Sequence, residues 1–249
     1  MKALFRHPLR LIGRLLWMNF EFVVITVVFI RRCGFRPSRA TTQARAEWLQ
    51  YATRRFLHIF SATIRTSGPV PTRGLLVCNH LSYVDILVLA SLTPAVFVAK
   101  REVKSWPVFG WFAQLAGTLF VDRQRRSTVG HTTNEIEAAL NLGALVIIFP
   151  EGTSSGGATV LPFKSSLLEP ATRPTGSLFA GRIQYEIDDG DVSEEVCYWK
   201  DMTLLPHLLN LLSKRTVRAT VRFSQVPAPS PDRKELARQL HAEVSGLGK

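Results

Sequence analysis

The sequence predicts an α/β fold in which a mixed sheet is flanked by helices and is preceded by an amphipathic two-helix hairpin. Short β-rich apolar runs alternate with helical stretches from Leu75 onward, a pattern that is typical of a largely buried sheet covered by helices. A longer apolar and basic stretch precedes these runs, and its periodicity is helical. We expect residues 1–66 to form the hairpin and residues 67–249 to form the α/β domain.

Charge is concentrated at the start of the chain. The 249 residues carry a net charge of +12, and 46% of them are hydrophobic, which argues against intrinsic disorder. Between Met1 and Arg55 there are eleven Lys or Arg residues but only two acidic ones. Such a segment suits an anionic partner, either a membrane surface or a nucleic acid.

Residues 9–32 predict a helix at a membrane surface. A spanning helix needs about 18 or more uncharged apolar residues, but the longest uncharged stretch after Glu21 runs only from Phe22 to Ile30. Its charged residues fall on one narrow stripe, which favours a helix lying in the headgroup region, with a true span as the alternative. The stripe consists of Arg6, Arg10, Arg14, Glu21 and Arg32. Charges within the apolar region also argue against a cleaved signal peptide.

A second amphipathic helix is predicted from about Thr42 to Ile64. Its apolar residues share one face: Trp48, Leu49, Ala52, Phe56, Ile59 and Phe60. We expect the two helices to form a monotopic anchor on anionic lipids, while a pair that simply faces the core is the alternative. Nucleic acid is disfavoured as a partner because the basic residues lie on a very apolar helix.

The stretch VCNHLSYVD places a polar pair, His80 and Asp85, at the junction of two apolar runs. In a continuous helix the two side chains would diverge by about 140°. If the strand ends near Cys78 and residues 79–82 form a turn, Asp85 lies in the first turn of the next helix and can orient His80 as a general base. No serine or cysteine has a clear role as nucleophile, so the base would activate a hydroxyl of the substrate.

Two further motifs follow in order, GTLFVDR and FPEGTSS. With NHLSYVD they resemble the glycerolipid acyltransferase family of bacterial 1-acyl-glycerol-3-phosphate acyltransferases. The resemblance extends from about Phe56 to Arg222 and includes the N-terminal helix pair.

The resemblance implies a membrane enzyme that acylates a lysolipid. In the family, the base removes a proton from the acceptor hydroxyl, which attacks the thioester of acyl-CoA or of acyl carrier protein. The expected acceptor is 1-acyl-sn-glycerol 3-phosphate, and the expected product is phosphatidic acid. No bound cofactor or metal ion is expected. The expected location is the cytoplasmic face of the inner membrane, where the protein would be peripheral or monotopic.

The resemblance also assigns candidate substrate-binding residues. Arg123 would bind the glycerol phosphate, because its planar guanidinium suits a phosphate, and Lys100 is a second candidate. In the second motif, Gly117 and Phe120 accompany Arg123. In the third motif, Glu151, Gly152 and Thr153 would bind the acceptor and shape the site, and we expect Glu151 to meet a hydroxyl or Arg123.

The sequence departs from the family at one point. Ala180 stands where the family has a proline in its fourth motif, so we assign no site residue in that segment.

Two alternatives are left open by the sequence. The stretch that starts at Tyr198 resembles the subset of the family that acylates lyso-ornithine lipid, so the acceptor is open. The segment GTSSG matches the nucleophile elbow of α/β hydrolases, with Ser154 as nucleophile and His207 or His241 downstream. The hydrolase is disfavoured because no helix follows the elbow directly.

The end of the chain predicts a strand and a helix. Residues 216–223 alternate between apolar and basic or polar side chains, which indicates a half-buried strand. In the final helix we expect Ser230 as N-cap, Pro231 in the first turn and Gly246 as the stop.

Overall fold

A seven-stranded sheet forms the centre of the computed structural model, which describes residues 7–35, 40–121, 126–172 and 176–248. The strands are β1 Ala62–Ser67, β2 Gly74–Cys78, β3 Val96–Lys100, β4 Leu119–Val121, β5 Leu145–Ile148, β6 Leu178–Ile187 and β7 Val217–Val226. Their spatial order is β1-β7-β6-β2-β5-β3-β4. All neighbouring pairs are parallel except β6 and β7. The predicted mixed sheet is therefore confirmed.

Helices cover both faces of this sheet. They are α1 Pro8–Cys33, α2 Thr42–Ile59, α3 Val84–Leu92, α4 Phe109–Leu115, α5 Arg126–Asn141, α6 Val192–Glu195, α7 Leu204–Ser213 and α8 Arg233–Gly246. Two short 3-10 helices span Arg101–Ser105 and Ser165–Thr172. Alternate residues of β2 point to opposite faces, so that Leu76 packs with α2, α3 and α7 and Leu75 packs with α5 and α8.

The parallel strands β2, β5, β3 and β4 end at the same edge of the sheet, and ligand sites in α/β folds usually lie at this edge. Strand β6 runs parallel to β2 but is longer. Its pairing with β2 ends at Gly181, opposite Cys78, and it continues to Ile187 beside β7. The second half of β6 is therefore available to support the segment that follows β2.

Two boundaries differ from the prediction, the end of α2 and the N-cap of α8. Helix α2 ends at Ile59 instead of Ile64 because residues 62–67, which include β-branched Thr63 and Ile64, pair with β7 as strand β1. The expected division at residue 66 falls within this strand. In α8 the N-cap is Asp232, whose carboxylate accepts from the N–H groups of Lys234 and Glu235, instead of Ser230.

Two residues of the polar stripe of α1, Arg14 and Glu21, are buried against the protein. The guanidinium of Arg14 donates to the carbonyl oxygens of Leu212 and Arg215 at 3.1 Å each, and to Ser61 Oγ at 2.8 Å. It thereby satisfies backbone acceptors at the C-terminal end of α7. Buried Glu21 accepts from Trp17 Nε1 at 2.8 Å and pairs with Arg55 of α2.

Apolar contacts complete the packing of α1 on α2. Trp48 is fully buried, donates its indole N–H to the carbonyl of Ile25 at 2.8 Å and meets Phe29 edge to face. The apolar face that was predicted for α2 is thus buried or half-buried. Residues 36–39, which fall in the turn of the predicted hairpin, lie outside the described residues.

The opposite face of α1 is apolar and exposed. We call it the outer face; it consists of Leu9, Ile12, Leu16, Phe20, Val23 and Val27. These residues recur every three or four positions, which is one side of a helix. By length and composition α1 is also the one helix in the described ranges that could cross a membrane.

Candidate active site

The segment between β2 and α3 forms a tight turn at the carboxyl edge of the sheet. Asn79 begins it, and its side-chain amide takes the place of a backbone group in the sheet. Nδ2 donates to the carbonyl of Ile183 at 3.0 Å, and Oδ1 accepts from the N–H of Ile183 at 2.8 Å. This two-way contact fixes the start of the turn against β6.

Asp85 lies at the start of α3 and binds the end of the β2–α3 turn. Its side chain is fully buried, and Oδ2 accepts from the N–H groups of Leu81 and Ser82 at 2.7 and 3.0 Å. The same oxygen lies 2.8 Å from Nδ1 of His80. A carboxylate at a helix N-terminus also interacts favourably with the helix dipole. The turn thus brings together the two side chains that the sequence paired.

The second ring nitrogen of His80, Nε2, is not used by the pair with Asp85. With Nδ1 against a carboxylate, the neutral ring carries its proton on Nδ1, and Nε2 keeps a lone pair. Among the described residues no group hydrogen-bonds to Nε2, and 22% of the side chain is exposed. The ring stacks on Phe149 with 4.2 Å between centroids, which fixes its plane.

Glu151 follows β5 in the chain and binds the backbone of the turn. It is 2% exposed; Oε1 accepts from the N–H of His80 at 2.7 Å and Oε2 accepts from the N–H of Leu161 at 2.9 Å. Burial raises the pKa of this carboxyl, although both hydrogen bonds oppose the shift. Each carboxylate oxygen of Glu151 therefore binds a backbone N–H group. Its expected contact with Arg123 is not described, because Arg123 lies outside the described residues.

Three amides of the turn donate to carboxylates of the site. His80 donates to Glu151, while Leu81 and Ser82 donate to Asp85. These three amides stabilise the turn itself, so they are not free to stabilise an oxyanion that forms beside His80.

The residues after Glu151 form an irregular loop. Gly152 has φ +73°, which favours glycine, and its N–H donates to the carbonyl of Phe149 at 3.1 Å. Thr153 is exposed. Ser154 Oγ donates to the carbonyl of Tyr198. This loop lies beside the turn because the N–H of Ser155 donates to the carbonyl of His80 at 3.0 Å.

A hydrolase triad at Ser154 is not formed among the described residues. His207 Nε2 lies 2.9 Å from the carbonyl of Cys197, its Nδ1 lies 3.0 Å from the hydroxyl of Tyr83, and burial lowers its pKa. His241 Nε2 lies 3.1 Å from the carbonyl of Val160. Neither histidine meets Ser154, and the segment after it has no helix before residue 165.

The other predicted binding residues lie along β3 and β4 or outside the described residues. Lys100 ends β3 and is exposed at the carboxyl edge. Phe120 lies opposite Ala99 in the β3–β4 pair. Gly117 has φ +80°, and a Cβ there would lie 3.3 Å from the guanidinium of Arg45 in α2. The absence of a side chain at Gly117 therefore leaves room for Arg45. Arg123 lies outside the described residues.

Cysteine chemistry is disfavoured at this edge. Burial raises the pKa of the Cys78 thiol, and it raises that of Cys197 to about 12, so both are protonated and poor nucleophiles at neutral pH. Within the described ranges no group of three or more His, Cys, Asp or Glu side chains is arranged to hold a metal ion.

Sequence analysis did not identify the roles of two residues at the site, Asn79 and Tyr185. The hydroxyl of Tyr185, on β6, donates to Asp85 Oδ1 at 2.7 Å. A weak signal was present, since Ile183 and Tyr185 alternate with polar residues as in a half-buried strand. Nothing in that alternation indicates a contact with a residue 100 positions earlier in the chain.

Comparisons with known proteins identify the family of this chain. A model of the acyltransferase family matches residues 60–180. The lyso-ornithine lipid O-acyltransferase of Rhizobium meliloti strain 1021 is 34% identical over 222 residues, which cover 79% of this chain and 76% of that protein. The 1-acyl-sn-glycerol-3-phosphate acyltransferase of Neisseria meningitidis serogroup B is 30% identical over 71% of this chain and 70% of its own length. The chain belongs to the glycerolipid acyltransferase family.

A solved structure shows the same fold. The 1-acyl-sn-glycerophosphate acyltransferase PlsC of Thermotoga maritima matches with a TM-score of 0.66 and 20% identity, over 96% of this chain and 97% of that one. The present chain is thus an acyltransferase of the lysolipid type, and the resemblance inferred from its three motifs is confirmed.

The contacts of Glu151 predict that Glu151→Gln lowers kcat. A glutamine can accept at only one of the two positions, and its NH2 group would oppose the N–H of either His80 or Leu161. An unsatisfied buried donor costs about 1–3 kcal/mol, so we expect a loss of roughly 10- to 100-fold in kcat as the turn shifts. Steady-state kinetics measure this.

The matched control is Glu169→Gln, which makes the same change at an exposed residue that pairs with Arg233. We expect wild-type kcat from it. If Glu151→Gln raises KM for the acceptor and leaves kcat unchanged, then Glu151 binds substrate and does not support the turn.

Proposed function

We propose that this acyltransferase moves a fatty acyl group from an acyl thioester, carried by CoA or by acyl carrier protein, to the free hydroxyl of a lysolipid. The observation that carries the proposal is the pairing of His80 Nδ1 with buried Asp85 at 2.8 Å in a side chain that is 22% exposed, which leaves Nε2 without a hydrogen bond to the described residues. His80 is the general base, and Asp85 fixes its tautomer and stabilises the imidazolium that forms.

The reaction needs no covalent acyl-enzyme. Nε2 takes the proton of the acceptor hydroxyl as its oxygen attacks the thioester carbonyl carbon. The tetrahedral intermediate then collapses, the carbon–sulfur bond breaks, and the imidazolium returns the proton to the leaving thiolate. The products are the acylated lipid and the free thiol, so atoms and charge balance without an outside reactant.

We propose lyso-ornithine lipid as the first acceptor to consider and 1-acyl-sn-glycerol 3-phosphate as the second. The order follows the relatives, because the one named for lyso-ornithine lipid shares more identical residues over more of the chain. Arg123 and Lys100 stay our candidates for the acceptor's anionic group. Gly117, Phe120, Gly152 and Thr153 stay candidates for shaping its site.

We further propose that the outer face of α1 docks on the cytoplasmic leaflet of the inner membrane, with α1 and α2 as a monotopic anchor. A soluble protein rarely exposes so continuous an apolar surface. Because Arg14 and Glu21 bond to the protein side, neither charge lies on the outer face of α1. Arg31 and Arg32 in the last turn of α1 would meet anionic headgroups.

The acceptor test is product analysis by mass spectrometry. Purified protein is incubated in mixed micelles with equal amounts of lyso-ornithine lipid and lysophosphatidic acid, and with acyl-CoA or acyl carrier protein as donor. We expect acylated lyso-ornithine lipid as the main product. If phosphatidic acid is the main product instead, the proposed acyl transfer holds and the acceptor is lysophosphatidic acid.

In the same assay His80→Ala should lose activity by about 10²- to 10⁴-fold, the usual contribution of a general base. His58→Ala, at an exposed histidine of α2, is the control and should keep wild-type activity. Free fatty acid as the main product, undiminished in His80→Ala, would contradict the proposed reaction.

The docking proposal predicts that the double variant Leu16→Glu, Phe20→Glu leaves the membrane. Burial of each such side chain contributes about 1.5–3 kcal/mol, so binding to vesicles that contain anionic lipids should fall by about 100-fold or more in a flotation assay. Asn141→Glu, Gln225→Glu adds the same charge at exposed positions away from α1 and should float as the wild type does. Flotation of both variants to the same extent would refute the outer face as the docking surface.

A further inference from the structure

We propose that Tyr185 is a positioning residue of the transfer reaction: its hydroxyl holds the carboxylate of Asp85 in the orientation that fixes His80. The inference rests on the proposed function, since it concerns the same base. It adds to the reaction a residue from a strand that none of the three motifs contains.

The two oxygens of Asp85 have different tasks. Oδ2 accepts from Leu81 N–H and Ser82 N–H and faces Nδ1 of His80. Oδ1 accepts from the hydroxyl of Tyr185 at 2.7 Å, its one hydrogen bond with the described residues. Without that hydroxyl, a fully buried carboxylate oxygen would have no donor, which is costly in a core.

The hydroxyl is held at a fixed place. Strand β6 pairs with β7 along all ten of its residues, and Tyr185 lies opposite Ala219. Its side chain is buried, and Ile183, two residues earlier, is bonded on both its N–H and its C=O by Asn79 of the turn. β6 therefore supports both ends of the turn, through Asn79 at the start and through Asp85 at the close.

A neutral donor is the suitable partner at this position. Burial and the negative charge of Asp85 raise the pKa of Tyr185 well above its usual value, so the phenol stays protonated and donates throughout the working pH range. A lysine or arginine in its place would neutralise Asp85 and weaken its support of the imidazolium. The tyrosine hydroxyl satisfies Oδ1 without adding a positive charge beside the carboxylate.

The test is Tyr185→Phe, which keeps the ring and removes only the hydroxyl. We expect kcat to fall by about 10- to 100-fold, because the dyad loses its orientation, and KM for both substrates to stay within about twofold. The pH profile of kcat/KM should also change, because the carboxylate that faces the general base loses a hydrogen-bond donor. p-Aminophenylalanine at position 185 restores a donor and should recover most of the activity.

A double-mutant cycle separates positioning from a general structural effect. If Tyr185 acts through Asp85, then removal of its hydroxyl in an Asp85→Asn background should change kcat by less than about threefold. Tyr51→Phe makes the same change in α2, where the ring lies under Arg32, and should leave kcat and the pH profile unchanged. Melting curves of all variants show whether each one is folded.

The results that would overturn this inference differ from those that would overturn the proposed function. A Tyr185→Phe enzyme with wild-type kcat and pH profile overturns the inference, and so does an equal loss in the wild-type and Asp85→Asn backgrounds. Failure of the proposed function shows differently, as a wild-type enzyme that forms no acylated lysolipid or a His80→Ala enzyme that keeps its activity. A loss in Tyr185→Phe that vanishes without Asp85 supports the inference.

Discussion

The buried carboxylate of Asp85 is the constraint on which the site depends. It accepts four hydrogen bonds, from two backbone amides, one imidazole and one phenol, and it is fully shielded from water. A charge in such a place is stable only when each oxygen has donors. Satisfying Asp85 therefore determines the path of the turn, the plane and tautomer of His80 and the position of β6.

Helix α1 is apolar on both its inner and its outer side. On the inner side Arg14 and Glu21 are buried beside Ile25 and Phe29, and α7, Ser61, Trp17 and Arg55 satisfy the two charged side chains, while the outer face is exposed. Because the charges are engaged within the protein, the helix can present an uncharged face to lipid. The active-site edge and the outer face of α1 then belong to one packed framework, since α1 packs on α2 and α7 and these helices pack on the sheet.

Local signals in the sequence predicted much of this architecture. The apolar runs indicated β2 to β5, and the spacing of His80 and Asp85 indicated a turn, because a helix would have separated them. Periodicity could place the charges of α1 on one stripe but could not show that Arg14 in that stripe is buried, which depends on backbone carbonyls at the end of α7. The contact of Tyr185 with Asp85 was beyond prediction for the same reason. It joins residues 100 positions apart and is created by the sheet order.

The central claim is that Nε2 of His80 carries the lone pair that accepts the proton. It is tested most directly by two-dimensional ¹⁵N–¹H spectroscopy of the histidine ring nitrogens. The His80 signals among the six histidines are assigned by their loss in His80→Ala. At a pH where His80 is neutral, the account predicts a proton on Nδ1 and an unprotonated Nε2. A proton on Nε2 would contradict it, because that nitrogen could not then act as the base.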